Sequence, residues 1–135
     1  MNIKSLYKHY IKHYLVDTDS RKIRKNTIYF ALKGPRFNGN KFAEEAIAKG
    51  AMLSVVDEEK YATHAQIVLV DNVLETLQEL AKFHRTQLNI PILALTGSNG
   101  KTTTKELIHA VLQTQFKTTA TSGNLNNQIG VPLTV

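Results

Sequence analysis

The sequence predicts an α/β fold, in which a small N-terminal α/β unit precedes the first strand, loop, helix and strand of a second, parallel-sheet unit. Apolar residues recur at steps of three and four in several segments, which is the helical period. Short runs of β-branched and aromatic residues alternate with those segments. Strands that alternate with helices form parallel sheets covered by helices. With 135 residues, 42% of them hydrophobic, the chain can bury one small domain plus part of another.

The first element is an amphipathic helix, because apolar side chains recur at helical spacing from Ile3 to Leu15. The segment 27–32 (TIYFAL) is rich in strand-forming residues. The following KGPRFNGN, residues 33–40, contains two glycines and a proline and predicts a polar loop.

The middle of the chain repeats this alternation of helix and strand. The predicted elements are a helix over 42–49 capped by Gly50, a strand over 51–56, a strand over 67–70, and a helix from about Val73 with Asp71 or Asn72 as its N-cap. The last helix presents a predicted buried stripe of Leu74, Leu77, Leu80, Ala81 and Leu88.

A domain boundary is predicted near residues 88–91, where Pro91 breaks the helical pattern. A short apolar strand over 92–95 then leads directly into TGSNGKTTTKE. A helix over 102–115 and a short strand near 117–120 complete the pattern. The apolar residues expected to face inward from this helix are Leu107, Ile108, Val111 and Leu112.

Composition excludes several classes of protein. No apolar run approaches the roughly 18 residues of a membrane helix, and the N-terminus lacks a signal peptide, so we expect a cytoplasmic protein without a membrane span. The absence of Cys excludes disulfides and thiolate metal sites. The net charge of +6 suits any polyanionic ligand or simple solubility. No aromatic residues interleave with the basic segment 21–25, so we expect no nucleic-acid partner.

The segment from Thr96 to Thr104 predicts a loop that holds the phosphates of ATP or a close relative. Glycines allow the backbone N–H groups to approach phosphate oxygens, and the following helix directs its positive end at the same anion. Lys101 adds a positive charge for the β- and γ-phosphates, and the Thr102 hydroxyl suits a Mg²⁺ ion. The predicted ATP-binding residues are Thr96, Gly97, Ser98, Asn99, Gly100, Lys101, Thr102 and Thr103.

The glycine spacing of this loop departs from the general Walker pattern. That pattern has four residues between its glycines, whereas Gly97 and Gly100 enclose two, and Leu95 stands where the first glycine would be. A glycine-rich turn that merely caps a helix is the alternative interpretation. We therefore interpret the loop as a shortened variant of a nucleotide-binding loop.

Two segments, LTGSNGKTTTKEL and TSGNLNNQIGVPLTV, resemble the start of the ATPase domain of the Mur ligases, the cytoplasmic ligases of peptidoglycan precursors. The upstream TDSRK and TIYFALKGPRFNGNKF resemble the family's N-terminal domain, so the resemblance extends from about residue 16 to 135. It implies a UDP-muramoyl-substrate-binding domain over 1–88 and the beginning of a P-loop ATPase domain over 91–135. Within the family, the Asn-rich segment 123–132 most resembles the member that adds D-alanyl-D-alanine to UDP-N-acetylmuramoyl-tripeptide.

The resemblance also implies a reaction and its cofactors. ATP, with Mg²⁺, would phosphorylate the substrate carboxylate, and the amine of D-alanyl-D-alanine would then displace phosphate from the acyl phosphate. Lys101 and the loop N–H groups would offset the transition-state charge, with the metal ion held partly by Thr102.

The resemblance assigns further residues to the UDP substrate. A Ser hydroxyl and an Arg guanidinium suit a uracil edge or a diphosphate, although a solvated turn would look the same. Asn side chains suit sugar hydroxyls or phosphate, although they are also common in turns. The residues assigned in this way are Ser20, Arg21, Lys33, Gly34, Arg36, Asn38, Asn124, Asn126 and Asn127.

Two other groups of residues receive no function. His9 and His13 stand four apart on the first helix, but no third metal ligand is apparent, and a surface pair is the simpler interpretation. The acidic residues Glu44, Glu45, Asp57, Glu58 and Glu59 are interpreted as solvated charges.

In the family, the metal-binding Glu, the modified Lys and the C-terminal domain follow the segment matched here. We therefore expect this chain to be an N-terminal fragment that is inactive alone, and its incomplete sheet to favour self-association. Three alternatives remain open: another Mur-type ligase (third-amino-acid-adding or folylpolyglutamate type), a stand-alone nucleotide-binding module, and a nucleic-acid-binding protein with salt-dependent affinity.

Overall fold

The computed structural model describes residues 1–123 and 125–135. The predicted site residue Asn124 therefore lies outside the described residues. In chain order the helices and strands are α1 (Ile3–Tyr10), β1 (Val16–Asp17), β2 (Ile28–Phe30), β3 (Lys33–Gly34), β4 (Phe37–Asn38), α2 (Ala43–Ala48), β5 (Leu53–Val56), β6 (Ile67–Leu69), α3 (Val73–Gln87) and α4 (Lys101–Leu112), with short 3₁₀ turns at Gly39–Phe42 and Glu59–Tyr61.

A four-stranded parallel sheet forms the centre of the N-terminal part, in the order β1-β2-β5-β6. Ile28 is paired with Leu53, and Ser54 with Ile67. The predicted α/β class with a parallel sheet is confirmed. Strand β1 was not predicted, because two residues are too few for a detectable alternation of side chains.

The two faces of the sheet build two hydrophobic clusters. Successive side chains of a strand point to opposite faces. Ile28 and Phe30 therefore pack under α1 and α3, whereas Tyr29 and Ala31 pack under α2. All four are fully buried, so β2 is covered by helices on both sides, as a central parallel strand requires.

Helix α3 packs against α1 and covers one face of the sheet. The side chain of Asn72 accepts hydrogen bonds from the N–H groups of Leu74 and Glu75, which confirms the predicted N-cap. The buried stripe differs from the predicted one: it consists of Val73, Leu77, Leu80 and His84, while Leu74, Ala81 and Leu88 are half-buried.

Helix α1 is shorter than the apolar pattern predicts. It ends at Tyr10, although the pattern continues to Leu15. Tyr14 has a φ of +54°, which a continuing right-handed helix does not allow. The helix therefore cannot continue to Leu15, and the chain enters β1 at Val16.

The predicted polar loop at 33–40 contains a small antiparallel hairpin instead. Strands β3 and β4 pair Lys33 with Asn38 and Gly34 with Phe37. The hairpin then passes tightly over the end of β2 at Gly39, where an added Cβ would lie 2.6 Å from the Leu32 carbonyl oxygen. The Gly and Pro that suggested a loop here serve the tight turn of a hairpin.

The C-terminal part departs from the sequence prediction in its strands. Neither 92–95 nor 117–120 forms a β-ladder within the part of the chain that the structure describes. A strand is stabilised by hydrogen bonds to its neighbours, and these segments have no neighbouring strand there. Helix α4 forms as predicted, but its apolar side chains are not buried: Leu107 is 64% exposed and Val111 is 69% exposed.

Candidate functional site

The phosphate loop, residues 96–104, follows a segment without regular secondary structure and leads into α4. Gly100 is the N-cap of the helix, and its φ of +78° is left-handed, which favours glycine. The first bond of the helix runs from the Thr104 N–H to the Gly100 carbonyl. The N–H groups of residues 101–103 precede that bond, as at every helix start, and suit an anion.

A polar cleft of about 260 Å³ opens at this helix start. It is lined by Ser98, Asn99, Gly100, Lys101, Thr102, Thr103 and Asn126. The first six are predicted ATP-binding residues, and Asn126 was predicted to contact the UDP substrate. The fold therefore brings two separately predicted groups of residues to one cleft.

The Lys101 ammonium donates a hydrogen bond to the Gly97 carbonyl oxygen across the loop. Its side chain thus curls over the turn rather than extending along the helix. An ammonium at this position suits the negative charge of a polyphosphate at the helix start.

Thr102 is exposed at the first turn of α4, where its hydroxyl is available to a ligand. Within residues 1–123 and 125–135 no three His, Cys, Asp or Glu side chains come together as a metal site. Thr102 by itself therefore supplies a single oxygen ligand. Mg²⁺ is commonly held by one or two protein oxygens together with substrate phosphates and water, so this donor fits such an ion. His9 and His13 belong to no group of three potential metal ligands in that part of the chain, and the surface pair stays a prediction.

Asn127 stabilises a turn. Its side-chain oxygen accepts hydrogen bonds from the N–H groups of Ile129 (3.1 Å) and Gly130 (2.7 Å). Asn126, by contrast, faces the cleft. Of these two neighbouring predicted residues, one lies at the cleft and the other holds the backbone beside it.

Ser20 and Arg21 occupy a turn after β1 and differ in exposure. Ser20 is buried, and its carbonyl accepts a hydrogen bond from Lys49 at 2.8 Å. Burial raises the pKa of Tyr29 to about 12, while a hydrogen bond with Ser20 acts in the opposite direction. Arg21 is exposed and paired through two nitrogens with Asp19, at 2.8 and 2.7 Å. These hydrogen bonds hold the pKa of Asp19 well below its usual range. The guanidinium of Arg21 is thus oriented by a carboxylate.

Lys33 and Asn38 lie on the hairpin and belong to a polar network with Asn40, Asp57 and Glu58. The Lys33 ammonium lies 3.0 Å from Asp57 Oδ1, and Asn38 Nδ2 donates to Glu58 Oε1 at 2.8 Å. Asn40 is fully buried and exchanges hydrogen bonds with Asp57 in both directions, each of 2.9 Å. The network fastens the hairpin to the carboxyl end of β5.

The interpretation of Asp57 and Glu58 as solvated charges is wrong. The Asp57 side chain is only 10% exposed. Burial alone would raise the pKa of Asp57, but hydrogen bonds from Lys33 and Asn40 outweigh burial and lower it. The pKa of Glu58 is also lowered, by hydrogen bonds from Lys60 and Asn38. The sequence alone could not show this, because Asn38 and Asn40, which fasten these carboxylates to the hairpin, stand 20 and 17 positions away.

The hairpin and the phosphate loop form two separate groups of candidate residues. Gly34 and Arg36 are exposed on the hairpin. No hydrogen bond joins the hairpin to residues 96–104 among those that the structure describes. The two parts of the chain are linked instead through α3, where Gln78 Nε2 donates to the Gln128 carbonyl at 3.1 Å and Ile129 packs against the first hydrophobic cluster.

Sequence analysis missed two residues. His84 continues the buried stripe of α3, and its Nδ1 lies 3.1 Å from the Tyr7 hydroxyl. Its burial could have been predicted, because it stands at helical spacing from Leu77 and Leu80. Lys105 lies one turn after Lys101 and donates to the carbonyl groups of Thr121 and Gly123. Nothing in its local sequence distinguishes it from a surface lysine.

Comparison with protein families matches residues 12–85 to "Mur ligase family, catalytic domain" and residues 95–135 to "Mur ligase middle domain". Among curated proteins, the UDP-N-acetylmuramoyl-tripeptide–D-alanyl-D-alanine ligase of Bacillus subtilis is 46% identical over 123 residues, which are 89% of this chain and 27% of that protein. The ligase of the same name from Escherichia coli is 42% identical over 120 residues, which are 89% of this chain and 26% of that protein. The chain thus spans about a quarter of the length of these relatives.

Solved structures that resemble this chain are also ligases of this kind. The MurF ligase from Thermotoga maritima in complex with ADP superposes with a TM-score of 0.79 at 32% identity, covering 88% of this chain and 28% of that one. A crystal structure of MurF from Acinetobacter baumannii superposes with a TM-score of 0.78 at 35% identity, over 89% of this chain and 27% of that one. No helix among residues 1–123 and 125–135 is long and apolar enough to span a membrane.

Proposed function

This chain belongs to the Mur ligase family, and from that premise we propose that it carries the nucleotide-phosphate site and part of the substrate site of an ATP-dependent amide ligase. The proposed reaction adds D-alanyl-D-alanine to UDP-N-acetylmuramoyl-tripeptide in peptidoglycan synthesis. Since the chain spans about 27% of its relatives, the reaction belongs to a protein of the relatives' length, and the 135-residue polypeptide alone is inactive.

The observation that carries the proposal is the cleft at the start of α4, where the phosphate loop meets Asn126. It combines helix N–H groups, a lysine ammonium and a threonine hydroxyl, which are the groups that a bound nucleoside triphosphate requires. A similar chain, the Thermotoga maritima MurF ligase, was solved in complex with ADP. ATP is therefore the proposed nucleotide.

In the proposed mechanism, an oxygen of the substrate carboxylate attacks the γ-phosphorus of ATP, and ADP leaves. The amine of D-alanyl-D-alanine then attacks the carbonyl carbon of the acyl phosphate, and inorganic phosphate leaves. Lys101 and the N–H groups of residues 101–103 stabilise the negative charge on the transferred phosphoryl group. Thr102 would hold a Mg²⁺ ion, which supplies further charge neutralisation when bound.

We assign the remaining predicted residues to the UDP-linked substrate. The proposed contacts are Ser20, Arg21, Lys33, Gly34, Arg36, Asn38, Asn126 and Asn127. The guanidinium of Arg21 is oriented by Asp19 and exposed, as recognition of a diphosphate requires. We also propose that residues 1–88 and 91–135 form two domains, and that the protein is cytoplasmic and contributes to cell-wall synthesis, cell shape and division.

The exposed apolar side of α4 supports self-association of the 135-residue chain. Leu107 and Val111 of α4, together with Phe116 just after the helix, are each more than 60% exposed, and exposed apolar side chains favour burial against a second copy. Sedimentation velocity should show dimers that dissociate on dilution, and Val111→Lys should shift the chain to monomer. A wild-type chain that stays monomeric at high concentration would contradict self-association.

The proposed function is tested by replacing Lys101 with alanine in the protein that carries this sequence at the relatives' full length. Phosphate release that depends on both substrates should fall at least about 100-fold, the scale of losing one preorganised charge donor. The far-ultraviolet circular dichroism should stay unchanged. The matched control is Lys82→Ala, at an exposed lysine of α3. Turnover at the wild-type rate in the Lys101 variant would remove Lys101 from the mechanism, and a wild-type protein without turnover would refute the ligase assignment.

A further inference from the structure

Lys105 is a largely enclosed lysine near the phosphate loop. Its side chain is 16% exposed, although it lies on the same helix as the exposed Leu107 and Val111. It points across the helix to the segment 121–123 rather than into the nucleotide cleft, whose lining residues do not include it. A lysine withdrawn from solvent in this way requires partners for its charge.

All three donors of the Lys105 ammonium are occupied. Nζ donates hydrogen bonds to the carbonyl oxygens of Thr121 and Gly123, the latter at 3.0 Å. It also lies 2.7 Å from Glu106 Oε1. An ammonium has three N–H groups and accepts no hydrogen bond, so this set leaves none over for a ligand. Lys105 therefore does not bind a nucleotide directly in this arrangement.

The backbone that Lys105 holds leads to Asn126. Gly123 adopts a left-handed φ of +52°, so the chain turns at that point. After Asn126 the chain returns to Gly130, which packs directly against Leu125; an added Cβ at Gly130 would lie 2.6 Å from the Leu125 side chain. Asn127 closes the same turn with hydrogen bonds to the backbone. The backbone is therefore held on both sides of Asn126. Before it, Lys105 of α4 binds the carbonyl groups of Thr121 and Gly123, and after it, Asn127 bonds to the next turn.

We propose that Lys105 is a positioning residue, which ties the 121–123 backbone to the nucleotide-binding helix so that Asn126 lies beside the phosphate loop. The link ties the 121–123 backbone, which precedes Asn126 in the chain, to the helix that carries Lys101, since Lys101 and Lys105 are one turn apart on α4. The inference rests on the proposed function in that Asn126 contacts the substrate.

The first test needs no activity. Hydrogen exchange of the 135-residue chain is compared for wild type, Lys105→Met, Lys105→Arg and Glu106→Gln. Met keeps an apolar stem without donors, and Glu106→Gln removes only the negative charge of the exposed partner. Backbone amides of residues 118–127 should exchange at least about tenfold faster in Lys105→Met, the scale of losing hydrogen bonds to a charged group. Amides of β2 and β5 should not change, and Glu106→Gln should match wild type. Unchanged exchange at 118–127 in Lys105→Met would overturn the proposal.

The second test is a double-mutant cycle in the full-length protein. Lys105→Met and Asn126→Ala should each raise the KM for the UDP-linked substrate, and the double variant should be no worse than the more affected single variant. Lys105→Arg should recover most of the loss, because guanidinium donors reach the same carbonyl groups. Fully additive effects would overturn the positioning role. If the wild-type protein shows no ATP-dependent turnover, the proposed function fails instead, and the exchange experiment alone decides whether Lys105 holds the segment.

Discussion

Replacing Asn40 by alanine should destabilise the chain more than any surface substitution. Asn40 is fully buried beneath the hairpin. Its Nδ2 donates to Asn38 Oδ1 at 3.0 Å and to Asp57 Oδ1 at 2.9 Å, and its Oδ1 accepts from the Asp57 N–H at 2.9 Å. The substitution removes all three hydrogen bonds, which is why the fold should be sensitive to it.

The three losses are not equal. Asp57 Oδ1 keeps the Lys33 ammonium, and Asn38 Oδ1 keeps the backbone N–H of residue 40. The Asp57 N–H keeps no other partner among the hydrogen bonds of the described residues. An unsatisfied buried N–H costs roughly 1–3 kcal/mol, and each lost bond whose partner stays satisfied costs roughly 0.5–1.5 kcal/mol. The expected loss in the free energy of unfolding is therefore about 4 kcal/mol, the middle of the combined range.

Urea unfolding followed by circular dichroism measures this loss. With an m-value of roughly 1–2 kcal/mol/M for a domain of this size, the midpoint should fall by at least about 2 M. Asn89→Ala, at an exposed asparagine, is the matched control and should stay within about 0.5 kcal/mol of wild type. A loss below about 0.5 kcal/mol for Asn40→Ala would refute the argument that this network fastens the hairpin.

Three further predictions follow from the geometry of single residues. Gly100→Ala should weaken MgADP binding about tenfold, as measured by calorimetry, because a left-handed backbone costs a residue with a side chain roughly 1–2 kcal/mol. The control is Gly34→Ala, where an added Cβ meets nothing within 4 Å; it should leave MgADP binding unchanged. The lowered pKa of Asp57 means that its ionised form stabilises the fold above an unfolded pKa of about 3.9, and this contribution is lost as the pH falls below that value. Asp57→Asn should therefore flatten the dependence of the free energy of unfolding on pH between about pH 5 and 3. An unchanged pH dependence in this variant would contradict the prediction. Burial lowers the pKa of His84, so the unfolded chain takes up the proton first and stability should fall as the pH drops below about 6.5. His84→Phe should abolish that part of the unfolding profile, and a persistent slope would assign it to another group.

The phosphate loop could be predicted because its signal is local. The order of strand-forming residues, two glycines, a lysine and a threonine before a helix specifies a turn and a helix start within ten positions. Gly100 indeed caps α4 with a left-handed backbone. The strand before the loop could not be predicted in the same way, because 92–95 has the composition of a strand but pairing depends on a neighbour supplied from elsewhere.

The hairpin at 33–38 and its network show the opposite case. Gly34, Pro35 and Gly39 indicate a turn, but no local pattern indicates that Asn40 is fully buried against Asp57. Charged side chains are exposed unless a partner is present, so Asp57 was interpreted as solvated. The partner is 17 positions away, and only the packing of the hairpin against the end of β5 brings it into contact.

The sequence by itself determined the α/β class, the buried strands β2 and β5, and a loop suited to phosphate, since each depends on residue spacing within one turn or strand. The tertiary structure alone decided that Asn126 shares a cleft with the phosphate loop and that Lys105 is enclosed. The physical reason is distance along the chain. Contacts between residues 16 or more positions apart depend on the path of the backbone, which no local periodicity records.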